Sequence, residues 1–230
     1  MEENNEKLPL KKAVVVLSGG MDSVTSLYKA IHDNYEVYAI SFDYGQRHKK
    51  ELDFAKNICE KLAVTHHIVD LSNITSLIDN SALTGDIDVP EGHYEAENMK
   101  LTVVPNRNMI MYSIAIGYAV NIKAEAIYVG VHAGDHFIYP DCRPQFIEAL
   151  DLAAHLGNEG FAEKGMRIVA PFIFMSKAQI AKLGSELGVP YELTWSCYKG
   201  GEKHCGKCGT CVERKEAFEL AGVKDPTEYE

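Results

Sequence analysis

Ser18-Gly19-Gly20-Met21-Asp22-Ser23 is the stretch that most constrains this chain. An unbroken apolar run, Ala13 to Leu17, precedes it and reads as a parallel strand buried on both faces. After it, Val24, Leu27, Tyr28 and Ile31 recur at the spacing of one helix face. A Gly-Gly pair between strand and helix lets the backbone turn sharply and approach a ligand closely. The open N–H groups of the helix start, its dipole and the Ser18 and Ser23 hydroxyls then face one point, which suits a phosphate. The string is not a Walker A loop, because no Gly-Lys-Ser/Thr follows, nor a dinucleotide fingerprint, because the three-glycine spacing is absent. An ordinary strand-to-helix turn also uses glycine and serine; the buried strand and amphipathic helix on either side favour the phosphate reading.

The pattern S-G-G-x-D-S resembles the pyrophosphate loop of the ATP-pyrophosphatase superfamily, whose members adenylate a carboxyl, amide or carbonyl oxygen and release pyrophosphate. Asp22 inside such a loop repels a triphosphate unless a cation intervenes. It is read either as a ligand of magnesium bridging to the phosphates or as the cap of the helix beside it.

Strands and helices alternate along the chain, which predicts an α/β fold with a five-stranded parallel sheet and helices on both faces. The strands are expected at Ala13–Leu17, Val37–Phe42, His67–Leu71, Ala126–Gly130 and Ile168–Ile173. Helices are expected after Ser23, around Leu52–Leu62, at Asn108–Ile122 (apolar nearly all round, hence buried), around Gln145–Leu156 and at Lys177–Leu187. Ser72–Leu101 is the least regular segment and reads as a lid or an active-site wall. Three parts are expected: a frayed, flexible tail over 1–12, the ATP-binding domain over 13–190, and a small metal-organised module over 191–230.

Ligands of such sheets bind outside the carboxyl ends of the strands. Four polar clusters fall there: Asp43–Gln46, Pro105–Asn108, His132–Asp135 and Ser176-Lys177. Arg107 and Lys177 each open a helix, where a lone cation opposes the dipole, so both fit phosphate-neutralising roles; a plain surface charge explains Lys177 as well and Arg107 less well. In the run His132–Arg143, Asp135 or Asp141 could accept two N–H bonds from a guanine-type edge. Tyr139 could stack on a purine-like ring, and Arg143 could hold a carboxylate in its fork. A capped loop before a helix explains the same run without a ligand.

Cys197, Cys205, Cys208 and Cys211 are spaced C-x7-C-x2-C-x2-C. That spacing favours structural zinc with four sulfur ligands over an iron–sulfur cluster. His204 could replace one ligand, but its neighbour Cys205 fits better. Cys59 reads as a packing residue, and Cys142 as packing or a thiol near substrate, with packing preferred. Six cysteines of this kind, no run of about 18 apolar residues and a polar start without a signal peptide's apolar core predict a cytoplasmic protein without a membrane span. With 23 basic and 33 acidic residues the net charge is −10, which weighs against nucleic acid as a partner.

Taken together, Ser18–Ser23, Val104-Pro105-Asn106-Arg107-Asn108, Tyr139-Pro140-Asp141-Cys142-Arg143, and Ser196-Cys197-Tyr198 with Cys205, Cys208 and Cys211 resemble the QueC family of 7-cyano-7-deazaguanine (preQ0) synthases, in order over nearly the whole chain. The resemblance implies an adenine nucleotide alpha hydrolase-like, Rossmann-like fold and a ligase of queuosine or archaeosine biosynthesis. Its substrates would be 7-carboxy-7-deazaguanine, ammonia and ATP with Mg2+. The zinc ligands would be Cys197, Cys205, Cys208 and Cys211. The ATP loop would be Leu17, Ser18, Gly19, Gly20, Met21, Asp22, Ser23, Val24, Thr25, Ser26 and Leu27. Asp22, Arg107, Lys177 and Asp135 would serve catalysis, and Tyr139, Asp141 and Arg143 the substrate. Asp135, His132 and His136 are the candidate bases, and a homodimer is implied. Two other readings compete: a tRNA-thiolating or otherwise tRNA-modifying member of the superfamily, and a non-enzymatic zinc module for assembly.

Overall fold

A computed structural model describes residues 9–78, 81–84, 88–89, 91–92 and 97–230. The expected tail therefore lies, up to position 8, outside the described residues. In chain order the elements are β1 (Lys12–Val16), α1 (Met21–His32), β2 (Glu36–Asp43), α2 (Lys50–Leu62), β3 (Thr65–Asp70), α3 (Ser72–Ile78), α4 (Arg107–Ile122), β4 (Ala126–Tyr128), α5 (Pro144–Gly157), β5 (Arg167–Val169), α6 (Lys177–Glu186) and α7 (Gly209–Ala221). The five strands form one parallel sheet in the order β3-β2-β1-β4-β5.

Strand alternation sorts the core into two layers. Val14, Ile40, Ile127 and Ile168 pack with Ile116 of α4 and Ile147 and Leu150 of α5. Ala13, Val15, Ala39 and Ala126 pack with Val24 and Leu27 of α1, Ile58 of α2 and Ala181 of α6. β1 is thus buried on both faces, which is why it reads as a continuous apolar run. Order reverses between β1 and β4, and the loop after β1 sits at that switch point.

Several boundaries differ from expectation. β5 stops at Val169 instead of reaching Ile173, because Pro171 cannot donate to a ladder and turns follow, with Ile173 N donating to Ala170 O at 3.2 Å and Met175 N to Phe172 O at 2.8 Å. α4 is not buried all round: Met109, Ser113, Gly117 and Asn121 form an exposed stripe four residues apart. The segment after β3 is less irregular than expected, holding α3 and a 3-10 helix at Glu97–Thr102; its remaining stretches include positions outside the described residues. Beyond residue 190, Tyr191 and Phe218 join the second core layer, and α7 packs on α6. Among the described residues no helix is long and apolar enough to cross a membrane.

Candidate active site

The loop after β1 is folded by its own serines. Ser23 Oγ accepts from the N–H groups of Ser18 and Gly19, both at 3.2 Å, and donates to Gly20 O at 3.0 Å. Gly20 N donates to Ser18 Oγ at 3.3 Å. The anion-facing donors are therefore those of the helix start. No side chain caps α1, and its first backbone bond runs from Val24 N to Gly20 O at 3.0 Å. This leaves the Met21, Asp22 and Ser23 N–H groups open. Gly19 is required on two counts: its φ is +92°, and a Cβ there would lie 2.1 Å from Glu51 O.

A cavity of about 240 Å³ opens beside this loop. Ser18, Gly20, Met21, Asp22 and Ser23 line it, together with Tyr44 after β2, Arg107 and Asn108 at the start of α4, Asp135 and Tyr139 after β4, and Lys177 at the start of α6. All four polar clusters predicted at the strand ends thus send residues to one place. Of the longer stretch implied for ATP, Val24, Thr25, Ser26 and Leu27 are buried residues of α1 and do not line the cavity.

Asp22 does not cap α1, whose cap is Gly20. Asp22 Oδ2 instead pairs with Lys177 Nζ at 2.7 Å, and Glu213 of α7 meets the same ammonium at 3.1 Å. Burial opposes the Lys177 charge, but Asp22 and Glu213 outweigh it and raise its pKa. Burial also raises the Glu213 carboxyl. Asp22 Oδ1 is buried with no hydrogen-bond partner, an orphan oxygen that fits a cation ligand. His132 is 1% exposed; its Nδ1 accepts from Gly134 N at 3.1 Å and its Nε2 lies 3.2 Å from Lys177 Nζ. Asp135 Oδ2 accepts from His132 N at 3.3 Å.

Arg107 stacks over the Tyr44 ring at 5.5 Å, with Nη1 3.4 Å from the Tyr44 hydroxyl. Tyr139 lines the cavity and its hydroxyl meets Thr102 Oγ1 at 2.6 Å. Asp141 and Arg143 are not on the cavity wall; Arg143 is exposed and its Nε donates to His136 O at 2.9 Å. Cys142, read as packing, reaches the wall between them, buried and with its thiol pushed up by burial.

The sulfur atoms of Cys197, Cys205, Cys208 and Cys211 lie within 4.8 Å of one another, all buried. Lys199 N and Cys205 N each approach Cys197 Sγ at 3.4 Å, and Cys208 N approaches Cys205 Sγ at 3.3 Å. Four converging thiols with inward N–H groups fit one tetrahedral metal ion. His204 is not among them: its Nε2 accepts from Ser196 N at 3.0 Å.

Sequence reasoning missed how far this metal-ligand segment enters the site. Trp195 N donates to Gly19 O at 2.9 Å, and Trp195, Ser196, Tyr198 and Thr210 line the cavity. Arg214, fully buried, ties the segment down: Nη1 donates to Thr194 Oγ1 at 2.8 Å and Ser196 Oγ at 3.2 Å, and Nη2 to Tyr191 O at 3.0 Å. Glu51 and Glu213 were also missed. The string Ser196-Cys197-Tyr198, with polar groups flanking a metal ligand, was the available signal.

An uncapped helix start at the switch point of a doubly wound parallel sheet, with a cavity beside it, defines a nucleotide-binding α/β protein. The NMN synthetase of Francisella tularensis shares the fold, with a TM-score of 0.50 at 15% identity over 94% of this chain and 79% of that one. The family model of the queuosine biosynthesis protein QueC matches residues 12–222. Proteins named 7-cyano-7-deazaguanine synthase are 57% identical over 219 residues in Brucella anthropi, covering 95% of this chain and 94% of the relative. In Hahella chejuensis the figures are 52% over 230 residues, covering 100% and 98%. The chain belongs to the QueC family.

Proposed function

We propose that this chain is the ligase that joins 7-carboxy-7-deazaguanine and ammonia, with ATP, into 7-cyano-7-deazaguanine for queuosine biosynthesis. One observation carries the reading: in a chain of the QueC family, the open start of α1, Arg107 and Lys177 line a single cavity.

A carboxylate does not react with ammonia, because its oxygen is a poor leaving group. Adenylation makes that oxygen a good one, and ammonia then gives the amide. A second activation, of the amide oxygen, followed by proton loss gives the nitrile. No covalent nucleophile is needed, so positioning and charge neutralisation supply most of the acceleration. In this reading the N–H groups of Met21, Asp22 and Ser23 hold the departing pyrophosphate, and Arg107 and Lys177 neutralise charge. Tyr139 stacks on the deazaguanine ring, while Asp141 and Arg143 shape the turn that presents it, and Asp135 keeps His132 and Lys177 in place. Asp22 Oδ1 would hold a magnesium ion, which lowers the charge of the phosphates. Zinc, bound by the four cysteines, would have a closed structural site. Residues 13–190 would carry most of the ATP site and 191–230 the metal, with Trp195, Ser196, Tyr198 and Thr210 closing the cavity.

None of the six cysteines is in a disulfide, which fits the reducing cytoplasm, and a homodimer is the assembly the family resemblance implies. Incubation of purified protein with 7-carboxy-7-deazaguanine, ammonium and MgATP tests the reading. Mass spectrometry should show the nitrile; consumption of tRNA with no nitrile overturns it.

A further inference from the structure

A second, small cavity of about 30 Å³ adjoins the first. Tyr44, Glu51, Trp195 and Tyr198 line both and form the partition. Gln46, Arg47, His48 and Leu83 complete the far side, with Cys197 of the four-cysteine cluster. By this measure one water needs roughly 10–15 Å³, so the space holds one or two molecules the size of water or ammonia.

Glu51 is the one carboxylate on its walls among the described residues. Gln46 Nε2, which also donates to Phe42 O at 3.3 Å, approaches Glu51 Oε1 at 3.5 Å. Arg107 faces Glu51 from α4, and Arg47 and Cys197 of the four-cysteine cluster share the cavity wall with it. Burial and Arg47 lower the pKa of His48. Lys50 turns away, donating to Gly201 O at 2.7 Å and Glu202 O at 2.9 Å. The Arg107 charge beside Glu51 disfavours an ammonium ion and favours neutral ammonia.

We propose that this side cavity is the ammonia site and that Glu51 accepts the proton the nitrogen loses on becoming bonded to carbon. The inference rests on the function proposed above. Ammonia attacks the acyl carbon of the adenylate and the C–N bond forms. The C–O bond to AMP breaks, AMP leaves with the electron pair, and one N–H proton passes to the Glu51 carboxylate. Burial raises the Glu51 carboxyl to about 7, against the pull of Arg107 and Gln46, which places it in the range suited to a base at neutral pH. Asp135, the base candidate on the main wall, is instead engaged by His132.

Two half-reactions test this. Substrate-dependent ATP–pyrophosphate exchange, run without ammonium, reports adenylation; amide and nitrile formation report the ammonia step. Glu51→Gln should slow the ammonia step by about 100-fold and slow exchange far less. The wild-type rate, plotted against free ammonia, should fall below about pH 7, and this limb should disappear in E51Q. Leu83→Ala, which widens the side cavity, should let methylamine yield the N-methylamide, a product the wild type does not form. An E51Q enzyme with wild-type ammonia-step rate and pH profile overturns the inference, as does equal loss of both half-reactions. If the wild type itself forms no nitrile, it is the functional reading that fails.

Discussion

Lys177 Nζ lies 2.7 Å from Asp22 Oδ2, so a helix-start lysine on α6 is tethered to the second residue of α1 inside the phosphate loop. The pair holds the lysine beside the open start of α1, and it leaves Asp22 Oδ1 without a partner. Asp22→Ala should reduce turnover by about 10²–10³-fold or more while metal content, measured by atomic absorption, stays at the wild-type level. A variant that fails to fold would show Asp22 to be mainly structural.

Gly19 allows α2 to seat directly on the loop. Gly19→Ala would place a Cβ 2.1 Å from Glu51 O at a φ of +92°, so backbone must move. The expected destabilisation is about 1–3 kcal/mol, read by urea denaturation, together with weakened ATP binding. Unchanged stability and affinity would mean that the loop and α2 are not in contact.

Arg214 gathers Tyr191, Thr194 and Ser196, and its Nε lies 3.3 Å from Asp225 Oδ1. Burial alone would raise the Asp225 carboxyl, but the Tyr229 hydroxyl, Arg214 and Thr227 together hold it below the usual carboxylate range. The sign follows: the unfolded chain protonates Asp225 first as pH falls, so its stabilisation is complete above about pH 5 and is lost below about pH 4. Arg214→Met removes the bonds to Tyr191 O, Thr194 and Ser196 and should cost about 1–3 kcal/mol; it should weaken this acid limb without removing it, because Tyr229 and Thr227 still hold Asp225. Thermal melts across pH in both proteins check it.

The four cysteines hold the segment whose Trp195 N binds Gly19 O. Removal of the metal by a chelator should therefore lower the melting temperature and abolish turnover together, with zinc restoring both. Cys208→Ser should reproduce the chelated state. Turnover that survives complete metal loss would separate the cysteine site from the cavity.

Much of the fold was legible because local pattern and tertiary need coincide. Ala13–Leu17 reads as a doubly buried strand, and parallel pairing on both sides makes it one. Arg107 and Lys177 were legible because cations at helix starts oppose the dipole and call for an anion. Arg214 was not, since a lone arginine in a polar helix reads as a surface charge, and only the folded chain brings Tyr191, Thr194 and Asp225 around it. Glu51 was hidden for a similar reason: its helix register says little, and its position depends on Gly19 admitting α2. Asp141 and Arg143 show the converse, a dense polar run of which the backbone presents Tyr139 and Cys142 to the cavity instead.

The central claim, that the cavity activates a carboxylate by adenylation, is tested most directly by isotope transfer. 7-Carboxy-7-deazaguanine labelled with 18O in both carboxyl oxygens is converted with ammonium and unlabelled MgATP, and the nucleotide products are analysed by mass spectrometry. Adenylation predicts 18O in AMP, one labelled AMP for each carboxyl oxygen lost, with unlabelled pyrophosphate. Label in inorganic phosphate, with ADP as the nucleotide product, would contradict it.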